Sequence, residues 1–293
     1  PELSCTYASH EKGRVPRPSR ESTHTPHRGH HMIPIKARSW CRYRYSFAFR
    51  FADAAILVFM AVGRTRTAHC EWMATYLVTG ANRGIGLEYC RQLQARGDEV
   101  IAVCRQGSPE LRDLKVRTEE GIELSSEPAI ADLVERLDAR PLDGVILNAG
   151  ILQSMGLSDL DPEGIRRQFE VNALAPLLLA RALVPQMPRG SRLALMTSRM
   201  GSIDDNSSGG SYGYRMSKVA LNIAGKSLAI DLEPLGIAVA ILHPGLVRTR
   251  MIQFNPSGIS PEESVRGLLA RIDALSLETS GSFWHANGQR LPW

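Results

Sequence analysis

Eight residues, Thr79-Gly-Ala-Asn-Arg-Gly-Ile-Gly86, constrain this chain more than any other stretch. They follow a short β-prone run, Ala74-Thr-Tyr-Leu-Val78, and precede Ile85-Gly-Leu-Glu-Tyr-Cys-Arg-Gln-Leu93, whose apolar residues recur at helical spacing. The segment therefore reads as strand, glycine turn, helix. Gly80 permits a tight turn, Gly84 lets a pyrophosphate approach the backbone, and Gly86 lets the new helix pack closely on a sheet. The free N–H groups at the helix start then face an anion. The spacing Gly-x-x-x-Gly-x-Gly departs from the commoner Gly-x-Gly-x-x-Gly, and a glycine cluster alone also occurs in plain turns. The flanking strand and helix favour a dinucleotide turn.

Strands and helices alternate downstream. Glu99–Cys104 reads as the second strand, Gly121–Leu124 as the third, Leu142–Leu147 as the fourth, Arg192–Thr197 as the fifth and Ile237–Leu242 as the sixth. Long helices are expected near Gly164–Met187 and Tyr212–Glu233, another near Pro261–Ala274, and a last short strand near Ser282–His285. Apolar strands alternating with helices indicate an α/β domain with a parallel sheet covered on both faces.

The formal charge of +5 misleads unless the chain is divided: residues 1–72 carry +7 and residues 73–293 carry −2. Six of the eight histidines and three of the five cysteines also fall in the first part. The basic balance thus gives no argument for nucleic-acid binding by residues 73–293. Those residues suffice for one domain with a full core. Their two cysteines, Cys90 and Cys104, fall in the first helix and second strand, where buried free thiols are expected. No disulfide framework is implied, which suits a reducing compartment such as the cytoplasm.

Pro, Arg, Ser and His dominate residues 1–39, with no hydrophobic period that builds a core. The run Ala54-Ala-Ile-Leu-Val-Phe-Met-Ala-Val62 is shorter than the roughly 20 residues a membrane span needs. Residues 1–72 are read as a disordered or non-native extension, with Met73 standing where the domain begins. The alternative is a targeting or anchoring segment, since Arg42, Arg44 and Arg50 precede the apolar run and Thr67-Ala-His-Cys70 fits a cleavage region.

Ser211-Tyr-Gly-Tyr-Arg-Met-Ser-Lys218 contains a Tyr-x-x-x-Lys pair, Tyr214 and Lys218. Residues four apart share a helix face, so the ammonium is expected to lie near the phenol and favour its ionised form. A phenol with its ordinary pKa of about 10 is a poor acid-base group at neutral pH. Tyr212 is the wrong tyrosine, because Met216 stands four residues on. Alone, such a pair is usually a solvated helix face; its meaning depends on partners.

Those partners are Asn148-Ala-Gly150 after the fourth strand, Asn172 in the following long helix, Ser198 after the fifth strand, and Pro244-Gly245 with Val247 and Thr249 after the sixth. With the glycine turn and Tyr214/Lys218 in order over residues 73–293, the chain resembles the short-chain dehydrogenase/reductase family. Ser198-Arg-Met-Gly-Ser-Ile203, Ser208-Gly-Gly-Ser-Tyr-Gly-Tyr-Arg-Met-Ser-Lys218 and Leu291-Pro-Trp293 look most like its C-factor-like branch of small carbonyl reductases. The resemblance implies a single Rossmann-type doubly wound sheet and hydride transfer. It implies Tyr214 as acid/base, Ser198 as a hydrogen-bond partner of the substrate oxygen, Lys218 on phenol and nicotinamide ribose, and Asn172 holding a water for proton relay. Gly80, Asn82, Arg83, Gly84, Ile85, Gly86, Asn148, Ala149, Gly150, Pro244, Gly245, Val247 and Thr249 would line the dinucleotide with Tyr214 and Lys218.

At the end of the second strand, where a carboxylate would accept from a ribose 2′-OH, the chain has Cys104-Arg105-Gln106. An arginine pairs with a 2′-phosphate, so Arg105, with Arg83, favours NADP(H) over NAD(H). After the third strand the family usually has Asp and a small apolar residue; here Glu123-Leu-Ser-Ser-Glu-Pro128 follows, and Ser125 is the candidate adenine contact. Pocket walls are expected after Gly150, in residues 199–213 and in Leu246–Ile259, where Met251, Ile252 and Phe254 suit a small apolar aldehyde, ketone or quinone. Apolar residues on several faces of the helices bearing Asn172 and Tyr214 suggest pairing into a homodimer or homotetramer. No nucleic-acid or membrane partner is expected. The alternative function is an NADP(H)-binding signalling or scaffold protein with little turnover.

Overall fold

The computed structural model describes residues 73–293; the readings made above for residues 1–72 lie outside that range. Seven strands form one parallel sheet: β1 (Thr75–Thr79), β2 (Glu99–Val103), β3 (Arg117–Glu119), β4 (Gly144–Leu147), β5 (Arg192–Met196), β6 (Ala238–His243) and β7 (Ser282–His285), in the order β3-β2-β1-β4-β5-β6-β7. The chain winds outward from β1 in one direction, returns to β4 and winds out in the other. A crevice opens beyond the carboxyl ends of the strands at that β1/β4 switch point.

Helices cover both faces: α1 (Gly84–Ala95), α2 (Pro109–Asp113), α3 (Glu127–Arg136), α4 (Pro162–Phe169), α5 (Ala175–Leu183), α6 (Tyr212–Leu232) and α7 (Pro261–Asp273). Strand side chains alternate between faces, and this chain fills both with apolar residues. Leu77, Ile101, Val145, Leu193 and Val239 pack with Leu133 of α3, Leu179 of α5 and Leu221 and Leu228 of α6. Val78, Ala102, Ile146, Ala194 and Leu242 pack with Tyr89 and Leu93 of α1 and Val265 and Leu268 of α7. A repeated signal starts the helices. Ser108, Ser126, Asp161 and Ser260 each accept a first-turn N–H, and each is followed by a proline in that first turn. The proline loses no bond there because helix-start N–H groups have no partner within the helix.

Two expectations change. The third strand is Arg117–Glu119, and Gly121–Leu124 lies beyond it. Its three polar residues mark a sheet edge, where charge is tolerated and apolar patterning is lost. Gly121, at φ +81°, lies two residues past the strand's end. The expected helix over Gly164–Met187 is three pieces in series, α4, a π-helical turn at Glu170–Leu174 and α5. The π turn surrounds Asn172, consistent with the tendency of such turns to occur at functional sites.

Among the described residues no helix is long and apolar enough to cross a membrane. Cys90 and Cys104 are free, buried thiols, and burial pushes Cys90 up to about 12.

Candidate active site

The glycine turn, Arg105, Asn148–Gly150, Asn172, Ser198, Tyr214, Lys218 and Pro244–Thr249 lie at the carboxyl ends of β1, β2, β4, β5 and β6 or on the helical segments from α4 to α6 beside them. At β1, Gly80 (φ +65°) and Gly84 (φ +55°) adopt left-handed backbone. A Cβ on Gly86 would stand 2.1 Å from the Gly80 carbonyl oxygen, so only glycine lets α1 start against the turn. At Gly84 the nearest neighbour to such a Cβ is the Thr249 methyl at 3.4 Å. Arg83, at the N-cap of α1, makes no side-chain cap, and the first turn contains no acidic residue. The N–H groups of Gly84, Ile85 and Gly86 are thus available to a phosphate, favoured by the helix dipole.

Two asparagines fix this turn. Asn148 donates through Nδ2 to the Thr79 carbonyl at 2.9 Å, while its backbone N–H and that of Ala149 donate to Thr79 Oγ1 at 2.9 and 3.1 Å. Asn82 donates to the Gln106 carbonyl at 2.9 Å, joining the glycine turn to the end of β2. Arg105, on that same stretch, is well exposed and pairs with Glu123 at 3.3 Å. Ser125 donates to Glu123 at 3.0 Å; burial pushes that carboxyl up, but Ser125 and Arg105 together hold it below the usual range. Ser125 and Arg105 thus meet on Glu123, just beyond the third strand. On the opposite side Gly245 sits at φ +86°, the Pro244 carbonyl accepts from Ser264, and Val247 is bridged to Ile259.

Ser198, Tyr214, Lys218 and Asn172 converge in the interior. Ser198 follows β5; its Oγ accepts from the Met200 N–H at 3.1 Å. Tyr214 lies in the first turn of α6 and is 8% exposed, against 36% for Tyr212, which separates the two tyrosines as the spacing had. Lys218 is buried; its Nζ donates to the Met196 carbonyl at 2.9 Å and stands 5.7 Å from the centre of the Tyr214 ring. Asn172 exchanges bonds with Ile151, accepting from its N–H at 2.8 Å and donating to its carbonyl at 2.9 Å, and also donates to Ser217 Oγ at 3.0 Å. Gly150 stands between: a Cβ there would lie 3.2 Å from Asn172 Oδ1 and 3.6 Å from Lys218 Nζ.

The electrostatics differ from the simple expectation. Burial raises the Tyr214 phenol, and the neighbouring Ser198 hydroxyl pulls in the opposite direction. The lysine does not supply that pull here, because its ammonium is turned to the Met196 carbonyl. Burial lowers Lys218 to about 8, so it retains mainly its charged form at neutral pH. A cavity of about 220 Å³ lined by Arg189, Gly190, Gly236 and Leu277 lies at the opposite, amino-terminal ends of β5 and β6 and contains none of these residues.

Residues 74–258 match the family model described as short chain dehydrogenase. The chain belongs to the short-chain dehydrogenase family. It is 40% identical over 226 residues to 1-hydroxy-2-glutathionyl-2-methyl-3-butene dehydrogenase of Rhodococcus sp. (strain AD45), a match covering 75% of this chain and all of the relative. It is 44% identical over 157 residues to C-signal of Myxococcus xanthus, covering 52% of this chain and 93% of that one. Among solved structures, a carbonyl reductase from Pseudomonas aeruginosa PAO1 in complex with NADP matches at TM-score 0.68 and 35% identity, over 75% of this chain and all of that one. NADPH-bound carbonyl reductase from chicken fatty liver matches at TM-score 0.68 and 30% identity, over 75% of this chain and 99% of that one.

Sequence reasoning missed three pairings near the site. Glu123 pairs with Arg105 across 18 positions, which the run after the third strand does not show. His243, at the end of β6, packs edge-on against His285 with ring centres 4.9 Å apart, a long-range pairing with no local pattern. Trp293 returns to residues 202–204 through its backbone oxygen, and main-chain acceptors leave no signal in sequence.

Proposed function

We propose that the chain is an NADP(H)-dependent reductase of small aldehydes, ketones or quinones. The observation that carries this reading is the convergence of Ser198, Tyr214, Lys218 and Asn172 beside the glycine turn. The residues fit the dinucleotide: the start of α1 offers uncapped N–H groups, the absent side chain of Gly84 leaves its backbone open, and Arg105 provides a guanidinium for a 2′-phosphate. When bound, the reduced nicotinamide supplies a hydride to the carbonyl carbon. Tyr214 donates its phenolic proton to the carbonyl oxygen, and Ser198 orients that oxygen through its hydroxyl. A carbonyl, a hydride and a proton yield the alcohol. Lys218, charged and bonded to the Met196 carbonyl, would hold the nicotinamide ribose, and a water at the Asn172–Ile151 pair would return the proton from solvent.

Against the substrate side, Ile203, Met251 and Phe254 are exposed apolar residues on the loops that flank this centre. They suit an apolar carbonyl compound. Exposed Met216, Ile223 and Ile230 recur at seven-residue spacing along α6, and exposed Phe169 ends α4. This apolar stripe supports pairing with a second copy; Ile223→Asp is expected to convert a sedimenting dimer to monomer, and monomer in the unaltered chain would contradict the pairing.

NADPH consumption with a panel of aldehydes, diketones and quinones tests the reductase reading. The 44% identity to C-signal favours the second reading, a binding or signalling role. NADPH binding without turnover across the panel would select it.

A further inference from the structure

We propose that Trp293 is a positioning residue for the reaction: its backbone oxygen clamps the turn that aims the Ser198 hydroxyl at the reacting oxygen. The inference rests on the reductase reading of the same site.

The turn in question is the short 3-10 segment Arg199–Gly201, which begins at Ser198. Ser198 is bonded into it twice, its carbonyl accepting from the Gly201 N–H at 2.8 Å and its Oγ from the Met200 N–H at 3.1 Å. Any rotation of the turn therefore moves the hydroxyl. On its inner side the turn is pressed against α6: a Cβ on Gly201 would stand 2.8 Å from the Lys218 backbone, and Asn222 donates to the Gly201 carbonyl at 2.9 Å. On its outer side the next residues are held from a distant part of the chain. Ser202 Oγ donates to the Trp293 oxygen at 3.1 Å, and the Asp204 N–H donates to the same oxygen at 2.8 Å. Ser202 Oγ also accepts from the Asp205 N–H at 3.1 Å, and Asp205 forms an ion pair with Arg199. One acceptor thus organises a closed ring of contacts around the turn.

Trp293 is placed for this by β7. Its ring stacks on Phe283 with centroids 5.6 Å apart and planes inclined by 21°, and the Leu291 N–H donates to the Phe283 carbonyl at 2.8 Å. Phe283 and Leu291 are fully buried beside Ile241 of β6, so the platform beneath the tryptophan is rigid. Trp293 is 41% exposed. Its removal leaves the core filled, and the loss falls on the position of the backbone oxygen. A clamp that acts only through geometry at Ser198 carries a specific consequence. The Ser198 hydroxyl counteracts the upward push of burial on the Tyr214 phenol; loosening it raises the pH at which that phenol ionises.

The test compares the full chain with Trp293→Ala, Trp293→Phe and Ser202→Ala, reading NADPH affinity, kcat and KM across pH. In Trp293→Ala, kcat is expected to fall about tenfold, the scale that sub-ångström misplacement of a catalytic group produces. NADPH affinity is expected to stay unchanged, because the glycine turn shares no contact with Trp293. The alkaline limb of the reduction profile is expected to move to higher pH. Trp293→Phe restores the stack and both values; Ser202→Ala, which leaves the tail intact, reproduces part of the defect should Trp293→Ala fail to fold. A kcat lowered equally at all pH with its limbs unmoved, or kcat unchanged in both Trp293→Ala and Ser202→Ala, overturns the clamp. Absence of turnover in the unaltered chain overturns the reductase reading itself.

Discussion

The two sides of the crevice are built on different terms. On the nucleotide side, each glycine is required by a neighbour or a backbone angle, and Asn148, Asn82 and Thr79 tie the turn to two strands. On the substrate side, Gly209 and Gly210 are left-handed yet meet nothing within 4 Å, and the loop is held by its own residues: Arg215 donates to the Gly209 and Gly210 carbonyls and to Ser208. Residues 246–259 close on themselves in the same way, through the Arg248 N–H to Ile259 and the Ile259 N–H to Leu246. A ligand common to the family is met by backbone that tolerates no side chain. In the proposed function, a ligand particular to this chain would be met by loops whose side chains are free to differ.

This contrast breaks most visibly at Gly86. Its alanine variant forces a Cβ into the Gly80 carbonyl, and since overpacking costs about 1–3 kcal/mol, NADPH affinity is expected to fall by about 10- to 100-fold in calorimetric titration. Unchanged affinity would show that the turn yields easily. Next in size, Arg105→Asp replaces a phosphate partner by a repelling carboxylate and is expected to shift the NADPH:NADH affinity ratio by about tenfold, the worth of one charge-assisted hydrogen bond. An unaltered ratio would move the phosphate pocket elsewhere. Gly210→Ala keeps open space around the new methyl and carries only the left-handed backbone penalty, about 1 kcal/mol in denaturant unfolding, with NADPH binding unaffected. A Gly210→Ala defect in NADPH binding would erase the distinction between the two sides.

The smallest effect at neutral pH belongs to His243. Burial chiefly, then His285 and Arg199, push it down to about 3, with Asp205 opposing. Its folded pKa lies below the unfolded value of about 6.5, so the unfolded chain binds more protons between the two, and stability present above about 6.5 is lost as pH falls toward 3. His243→Asn is expected to flatten the fall of the urea midpoint over that window. An equally steep fall would assign acid sensitivity to other groups.

Much of the nucleotide side was legible in the sequence because its constraints are local: a glycine that admits no side chain shows as a glycine in any reading, and Tyr214 and Lys218 are related by one helical turn. The same locality separated Tyr214 from Tyr212. The strands of the sheet centre were legible because burial on both faces makes them continuously apolar. The edge strand Arg117–Glu119 was not, since all three of its residues are polar, with only Glu119 buried, and they leave no apolar pattern to read. What the sequence did not show lies in pairings across the chain. Arg105 with Glu123, His243 with His285 and Trp293 with Ser202 join residues 18, 42 and 91 positions apart. The direction of the Tyr214 shift also depended on burial and on where Lys218 Nζ points, neither of which follows from spacing alone.

The decisive measurement is the rate of NADPH oxidation by the purified full chain and by Tyr214→Phe, with a carbonyl substrate that the unaltered chain reduces and with NADPH affinity determined for both. Loss of the phenolic proton is expected to lower kcat by about 10²- to 10⁴-fold while NADPH affinity stays nearly intact. Equal loss of turnover and binding, or turnover retained in Tyr214→Phe, would contradict the assignment of Tyr214 as the acid that completes hydride transfer.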